Sequence, residues 1–392
     1  MSWTSIIDQH RTVDALRSTI SSERIGHAYL FHGPDGVGKR AVALEFAKTL
    51  LCEREGDEAC DKCLTCTKVG RMVHPDLHIL FAYPTDTEPE DVAERIQLLG
   101  KNPYAAVDFV RRPSLGDTTK SSNKQALYTV GRMHDEVRRT MNFKPVEGRY
   151  KIVILTDADL LRTEAANAFL KLLEEPPPRS VFVLITSRPE RLLPTIVSRC
   201  QRFRFDPLPP EAIERALMEK ESMEPAPAKM LARMANGSYT EALEFKDNEE
   251  LMGLRALVLD FLRFSYGRSI DRLADLIEKI SRLGRDQIKG LLDLMLRWIR
   301  DLTLYRTLGD EASIINVDQR DAIAKFSANL PNADLEAMAK LVEGAIDLIE
   351  RNVQINLTLI VFAQSLGHAM RGPHDGMLYV PLTEPRGGWG RR

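Results

Sequence analysis

The chain has no run of apolar residues long enough to cross a bilayer. Leu357 to Leu366 is broken by Thr358, Gln364 and Ser365, and a span needs about 20 predominantly apolar residues, so no membrane association is expected. Met1-Ser2-Trp3-Thr4-Ser5 lacks a basic stretch followed by an apolar core. No signal peptide is therefore expected, and the expected location is the cytoplasm. There is no excess of either charge: 54 Lys and Arg stand against 56 Asp and Glu, net −2, which gives no general sign of nucleic-acid binding. No carboxylate constellation of the kind that holds polymerase metals is evident. With five cysteines in all, in a compartment expected to keep thiols reduced, a disulfide framework is not expected.

The 44% apolar and 28% charged content over 392 residues fits a globular protein of two or three domains. Four of the five cysteines, Cys52, Cys60, Cys63 and Cys66, are spaced C-x7-C-x2-C-x2-C. Four thiolates at such spacing can close a tetrahedral site for structural Zn²⁺, with no position left for a catalytic water.

Just before them a strand, His27 to His32, runs into Gly33-Pro34-Asp35-Gly36-Val37-Gly38-Lys39-Arg40 and a helix from Ala41 to Leu51. Strand, glycine-rich loop and helix is the setting of a phosphate-binding loop, in which backbone N–H groups and Lys39 face the phosphates. The last position should carry the Ser or Thr hydroxyl that ligates Mg²⁺. Arg40 stands there instead, and a cation cannot hold a metal.

The densest pattern is Arg149 to Asp206. Ile152 to Leu155 reads as a buried parallel strand ending in Thr156-Asp157. A helix with Ala165, Ala168, Phe169, Leu172 and Leu173 on one face follows, and Pro176, Pro177 and Pro178 stop it. A second strand, Val181 to Ile185, ends in Thr186-Ser187, and Ser198-Arg199-Cys200 comes after Pro194.

Three pieces in this order, Leu172-Leu173-Glu174-Glu175-Pro176-Pro177, Leu193-Pro194-Thr195-Ile196 and Ser198-Arg199-Cys200, resemble the clamp-loader subunits of bacterial replicases. The cysteine module followed by His74-Pro75-Asp76 is similar to one found in the same family. The resemblance implies an α/β P-loop (AAA+ type) domain with a parallel sheet and an inserted zinc module, then a small helical lid and an all-α collar. The corresponding spans are 1–206 (zinc module 52–66), 207–246, 250–370 and a flexible tail, 371–392. Ile7-Asp8-Gln9 resembles the family segment that packs near adenine.

The resemblance also says what is missing. An ATPase of this family has a metal-holding Asp at the strand end followed by a Glu that polarises water; Thr156 and Asp157 stand here. Asp159 could take the metal only if the register slipped. Motor subunits carry an Arg in the lid where Thr240 lies. The nucleotide-binding set is thus degenerate: Gly33, Gly36, Gly38, Lys39, Arg40, Thr156 and Asp157. Whether ATP binds is left open. Arg199 is intact, and in the family the matching arginine reaches a neighbour's ATP as a catalytic finger in trans. The expected protein is a non-hydrolysing member of a hetero-oligomeric ring. Its partners would be the motor subunits and delta, with the sliding clamp and primer-template DNA in the same complex. The alternative is an ATP-hydrolysing motor subunit of the same loader.

Residues 83–125, acidic at first and then polar and basic, read as a partly flexible insertion. A helix is expected over Gln125 to Met141. Lys101 to Lys151 holds eleven Lys and Arg against five Asp and Glu, a local excess suited equally to a DNA backbone or to solvent. Ile288 to Leu302 and Leu335 to Ile349 carry amphipathic helical faces, and Asn352, Asn356, Leu357 and Leu359 resemble the last collar helix.

Overall fold

A computed structural model of the chain describes residues 2–378 apart from 111, 113, 116–125, 134–136, 138–140, 142, 248, 268–269, 313 and 352. It divides into two compact units, Met1–Asp247 and Asn248–Arg392.

The first unit is built on five parallel strands: β1 Ala28–His32, β2 Leu77–Leu80, β3 Lys151–Leu155, β4 Ser180–Thr186 and β5 Gln201–Arg204. Their order is β2-β3-β4-β1-β5. Ala28 pairs with Phe182, Tyr29 with Gln201, Lys151 with Ser180 and Leu77 with Ile152. Every residue of β3 and β4 is buried, as continuous apolar runs require when helices cover both faces. The chain leaves β1 for the far edge, works back to β4, then crosses β1 to β5. The crevice outside the carboxyl ends of such strands is where open α/β sheets place ligands. The loop from Gly33, Thr156 and the end of β4 at Thr186 all lie there.

The covering helices are α1 His10–Ser21, α2 Lys39–Leu51, α3 Leu64–Gly70, α4 Pro89–Lys101, α5 Thr163–Glu174 and the single turn α6 Pro194–Val197. In α2 every residue but Arg40 is buried, with Glu45 and Lys48 paired to each other inside at 2.9 Å. On α5 the inward residues are Ala165, Ala166, Phe169, Leu172 and Leu173; Ala166 takes the place expected for Ala168. The N-terminal region is two helical pieces rather than one. The left-handed φ of Asp8 and Gln9 separates a 3₁₀ turn, Trp3–Ser5, from α1. After β5 come α7 Pro210–Glu221, α8 Pro225–Met234 and α9 Tyr239–Asp247, the first two opening on a proline at a position that needs no N–H.

Within the insertion read over residues 83–125 lies the thirteen-residue α4. Pro89 opens it, Glu90 and Asp91 fill its first turn, and Arg95 and Leu99 are buried. Arg111, Lys120, Lys124 and Thr118 to Asn123 lie outside the described residues. The helix expected from Gln125 begins at Val130. Before it, Leu127 and Tyr128 bridge to Tyr83 and Leu161, and the Tyr128 hydroxyl meets the carbonyls of Leu80 and Thr156. Those tertiary bonds hold the segment extended. Arg138 and Arg139 lie outside the described residues.

The second unit is all helical: α10 Glu249–Gly267, α11 Ile270–Ser281, α12 Arg285–Leu308, α13 Arg320–Asn329, α14 Leu335–Glu350 and α15 Ile355–Ala369. Ile288, Leu291, Leu292, Met295, Trp298, Ile299 and Leu302 form the buried face of α12, at the spacing seen in the sequence. Phe261 stacks on Phe362 at 5.4 Å. Fully buried Asp301 accepts the amides of Ile315 and Asn316, and Arg255 joins Asn316 and Asp318. Asn352 lies outside the described residues. The start of the expected flexible tail is tied down: Arg371 donates to the Gly367 carbonyl, and the His374 amide to Asp334. Residues 379–392 lie outside the described residues.

Candidate functional site

The carboxyl ends of β1, β3 and β4 open on a cavity of about 340 Å³ lined by Gly36, Gly38, Lys39, Arg40, Thr156 and Asp157 together with Tyr104, Asp108, Thr186, Arg188 and Thr240. The structure therefore brings most of the degenerate nucleotide set to one place. Gly33 stands at the root of the loop, where its amide donates to the Thr186 carbonyl.

The loop is folded on itself and on its neighbours. Gly36 and Gly38 have φ of +73° and +101°, which glycine alone adopts without strain. A Cβ on Gly36 would lie 2.0 Å from Ser238 Oγ, and one on Gly38 would lie 3.1 Å from the Tyr104 ring. Lys39 is 6% exposed, and its Nζ donates to the carbonyls of Gly33 and Pro34 at 2.5 Å each. Burial pulls its pKa down to about 8, against a smaller opposing effect of Asp35, 3.7 Å away. Arg40, at the position of the metal-ligating hydroxyl, sits 3.8 Å from the Asp108 carboxylate.

Thr156 turns its hydroxyl to the Leu80 carbonyl, 3.1 Å away. Asp157 has a left-handed backbone, φ +47°. Its pKa is raised to about 7, first by burial and then by the neighbouring Asp108, with Arg40 opposing. Asp159 is committed elsewhere: it accepts the Thr186 hydroxyl at 2.7 Å and pairs with Arg188 at 2.8 Å.

Tyr104 was not singled out in the sequence, yet it joins three separate segments. Its hydroxyl accepts the Ile7 amide at 2.9 Å, its carbonyl accepts the Thr240 hydroxyl at 2.7 Å, and its ring meets Tyr239 edge-on at 5.1 Å. The Tyr239 amide donates to the Gly36 carbonyl. The N-terminal segment, the glycine loop and the start of α9 are thereby fastened together. The legible signal was the apolar and aromatic spacing of Tyr104, Val107 and Phe109, all buried.

The four cysteines converge. The sulfurs of Cys52, Cys60, Cys63 and Cys66 all lie within 4.8 Å of one another, and Cys60 and Cys66 are 3.9 Å apart. Bonds of ~2.3 Å to a tetrahedral Zn²⁺ imply sulfur separations of roughly 3.8 Å, so the cluster fits a metal such as zinc. Amides of Cys60, Cys63 and Cys66 donate to the sulfurs of Cys52, Cys60 and Cys63 in turn, which favours thiolates. Cys52 caps the end of α2 and Cys63 the start of α3, so the centre would staple two helices. His74 is not among these ligands; its Nδ1 accepts the Asp76 amide.

Arg199 lies apart from the cavity lining. It follows α6 at the surface, with NH1 donating to the Thr195 carbonyl at 3.0 Å and NH2 to Glu174 Oε1 at 2.9 Å.

A family model described as DNA polymerase III, delta subunit, matches residues 8–209, and one described as DNA polymerase III, delta subunit, C terminal, matches residues 249–366. The DNA polymerase III subunit delta' of Bacillus subtilis is 33% identical over 331 residues, 83% of this chain and 87% of that protein. The chain belongs to the delta-prime family of DNA polymerase III clamp-loader subunits. The delta' subunit of Pseudomonas aeruginosa is 30% identical over 80% of this chain and 82% of that protein. The tau subunit of Bacillus subtilis is 26% identical over 86% of this chain but only 56% of its own length. The five-stranded parallel domain with its cysteine cluster and the all-helical second unit are the architecture expected of a delta-prime chain. Among the described residues, no helix is long and apolar enough to cross a membrane.

Proposed function

We propose that this delta-prime chain is the stator of its clamp loader: it does not hydrolyse ATP itself and supplies Arg199 to the ATP site of a neighbouring motor subunit. The observation that carries the reading is Arg40. It occupies the position where Mg²⁺ would need a hydroxyl, and its charge is held inside the cavity by Asp108. Thr156 and Thr240 remove two further groups of the family's hydrolytic set. Tyr104 fastens the loop, the N-terminal segment and α9 to one another, which suits a rigid member of a ring. The partners are the motor subunits and delta, and the ring acts on the sliding clamp and primer-template DNA. The second unit, with Leu357 and Ile360 exposed on α15, supplies the collar that packs subunits together. A cytoplasmic location accords with that role.

The Cys52, Cys60, Cys63 and Cys66 centre would hold Zn²⁺ as a structural ion, stapling α2 to α3 with no catalytic position left open.

The test is ATP hydrolysis by the reconstituted loader with clamp and primed DNA. Arg199→Ala is expected to lower turnover at one motor site by on the order of 10³-fold, as loss of an arginine finger does, while the ring still assembles. Unchanged turnover would remove the finger from the account. A motor-subunit reading would instead require hydrolysis by this chain alone.

A further inference from the structure

We infer that Glu174 is the positioning residue for Arg199: it holds one side of the guanidinium so that the other side is presented outward to a phosphoryl group. The inference rests on the proposal that Arg199 acts in trans.

Glu174 is the last residue of α5 and Glu175 its C-cap. Two carboxylates at a helix C-terminus oppose the helix dipole, which there favours cations, so helix stability alone gives no reason for them. Lys171 places one cation in the last turn of α5, and Arg199 adds a second from outside the helix. Its NH2 lies 2.9 Å from Glu174 Oε1 and its NH1 bonds the carbonyl of Thr195, the second residue of α6. The end of α5 and the single turn α6 thus converge on one guanidinium. The backbone below is fixed as well: the amides of Ser198, Arg199 and Cys200 donate to Pro194, Ile196 and Val197, and the Ser198 hydroxyl to Thr195.

A guanidinium has five N–H donors. Two are used here, and among the described residues the remaining three have no partner. Arg199 is 36% and Glu174 50% exposed, and an ion pair this open contributes at most about 1 kcal/mol. It is strong enough to choose a rotamer and too weak to withhold the arginine from a phosphate. Pre-aligned charge is what lowers a phosphoryl-transfer barrier. The Leu-Leu-Glu-Glu-Pro-Pro stretch then has a task beyond ending a helix: Pro176 fixes where α5 stops and so where Glu174 stands.

The experiment is steady-state ATP hydrolysis by the full reconstituted loader with clamp and primed DNA, comparing wild type, Arg199→Ala, Glu174→Ala and Glu174→Gln. Ring assembly is checked by gel filtration and folding by thermal denaturation. Glu174→Ala is expected to lower turnover at the motor site that Arg199 serves about fivefold, with KM for ATP unchanged. Glu174→Gln, which keeps the acceptor oxygen, is expected to restore most of the loss, and thermal midpoints should stay together. If Arg199→Ala abolishes turnover while Glu174→Ala matches or exceeds wild type, the positioning role is overturned and the finger stands. If Arg199→Ala leaves turnover unchanged, the finger reading itself falls.

Discussion

The Arg40 guanidinium lies 3.8 Å from the Asp108 carboxylate, with both side chains about five-sixths buried, 16% and 15% exposed. One comes from the glycine loop and the other from the segment after α4, so the pair ties that segment into the cavity. Breaking a buried pair leaves a charge without compensation. Asp108→Ala is expected to lower unfolding free energy by about 3 kcal/mol. The double change Arg40→Met, Asp108→Ala should cost clearly less than Arg40→Met and Asp108→Ala summed. Urea denaturation of the four proteins checks this, and simple additivity would contradict the coupling.

Tyr104 gives a sharper test, because one oxygen atom can be removed. Tyr104→Phe leaves the Ile7 amide buried without its acceptor and should cost about 1–2 kcal/mol. Tyr104→Ala removes the ring from Tyr239 and Gly38 as well and should cost about 3–5 kcal/mol. Hydrogen exchange at the Ile7 amide should quicken in both. A Tyr104→Phe protein with unchanged protection there would contradict the fastening.

Lys39 predicts a pH dependence. Its folded pKa is depressed to about 8 from the ordinary lysine value of 10.5. The folded state therefore disfavours the charged form. The associated stability is present above 10.5 and is lost as pH falls through 8. The unfolding free energy of wild type relative to Lys39→Met should rise by on the order of 2 kcal/mol from pH 7 to pH 10. A difference that stays flat over that interval would show that Lys39 titrates normally.

The cysteine centre predicts one zinc per chain by atomic absorption. Cys63→Ser should lose the metal, lower the melting temperature and loosen α3 first, because Cys63 both caps that helix and faces the other three sulfurs. A metal-free protein of unchanged melting temperature would contradict a structural ion.

The sequence revealed the parts of this protein that rest on local rules. β3 and β4 showed as unbroken apolar runs, Pro176 to Pro178 marked the end of α5, and the cysteine spacing announced the cluster that the fold closes. The cavity was only half visible. Lys39, Arg40, Thr156 and Asp157 sit in or beside recognisable patterns. Tyr104 and Asp108 come from a stretch whose mixed charge hid α4, although Pro89 with Glu90 and Asp91 was a readable helix start. The extended path of Leu127 and Tyr128 depends on the carbonyls of Leu80 and Thr156, which are remote in sequence. The pairing of Glu174 with Arg199 spans 25 residues, a distance at which no periodicity operates.

The central claim, that this chain does not turn over ATP, is tested most directly by steady-state Mg-ATP hydrolysis with the purified chain, alone and with primed DNA. The account predicts no turnover above background, and none gained by Arg40→Thr, since Thr156 would still stand at the place of the metal-holding Asp. Turnover that Lys39→Ala abolishes would contradict it and make this chain a motor subunit with an unusual metal site.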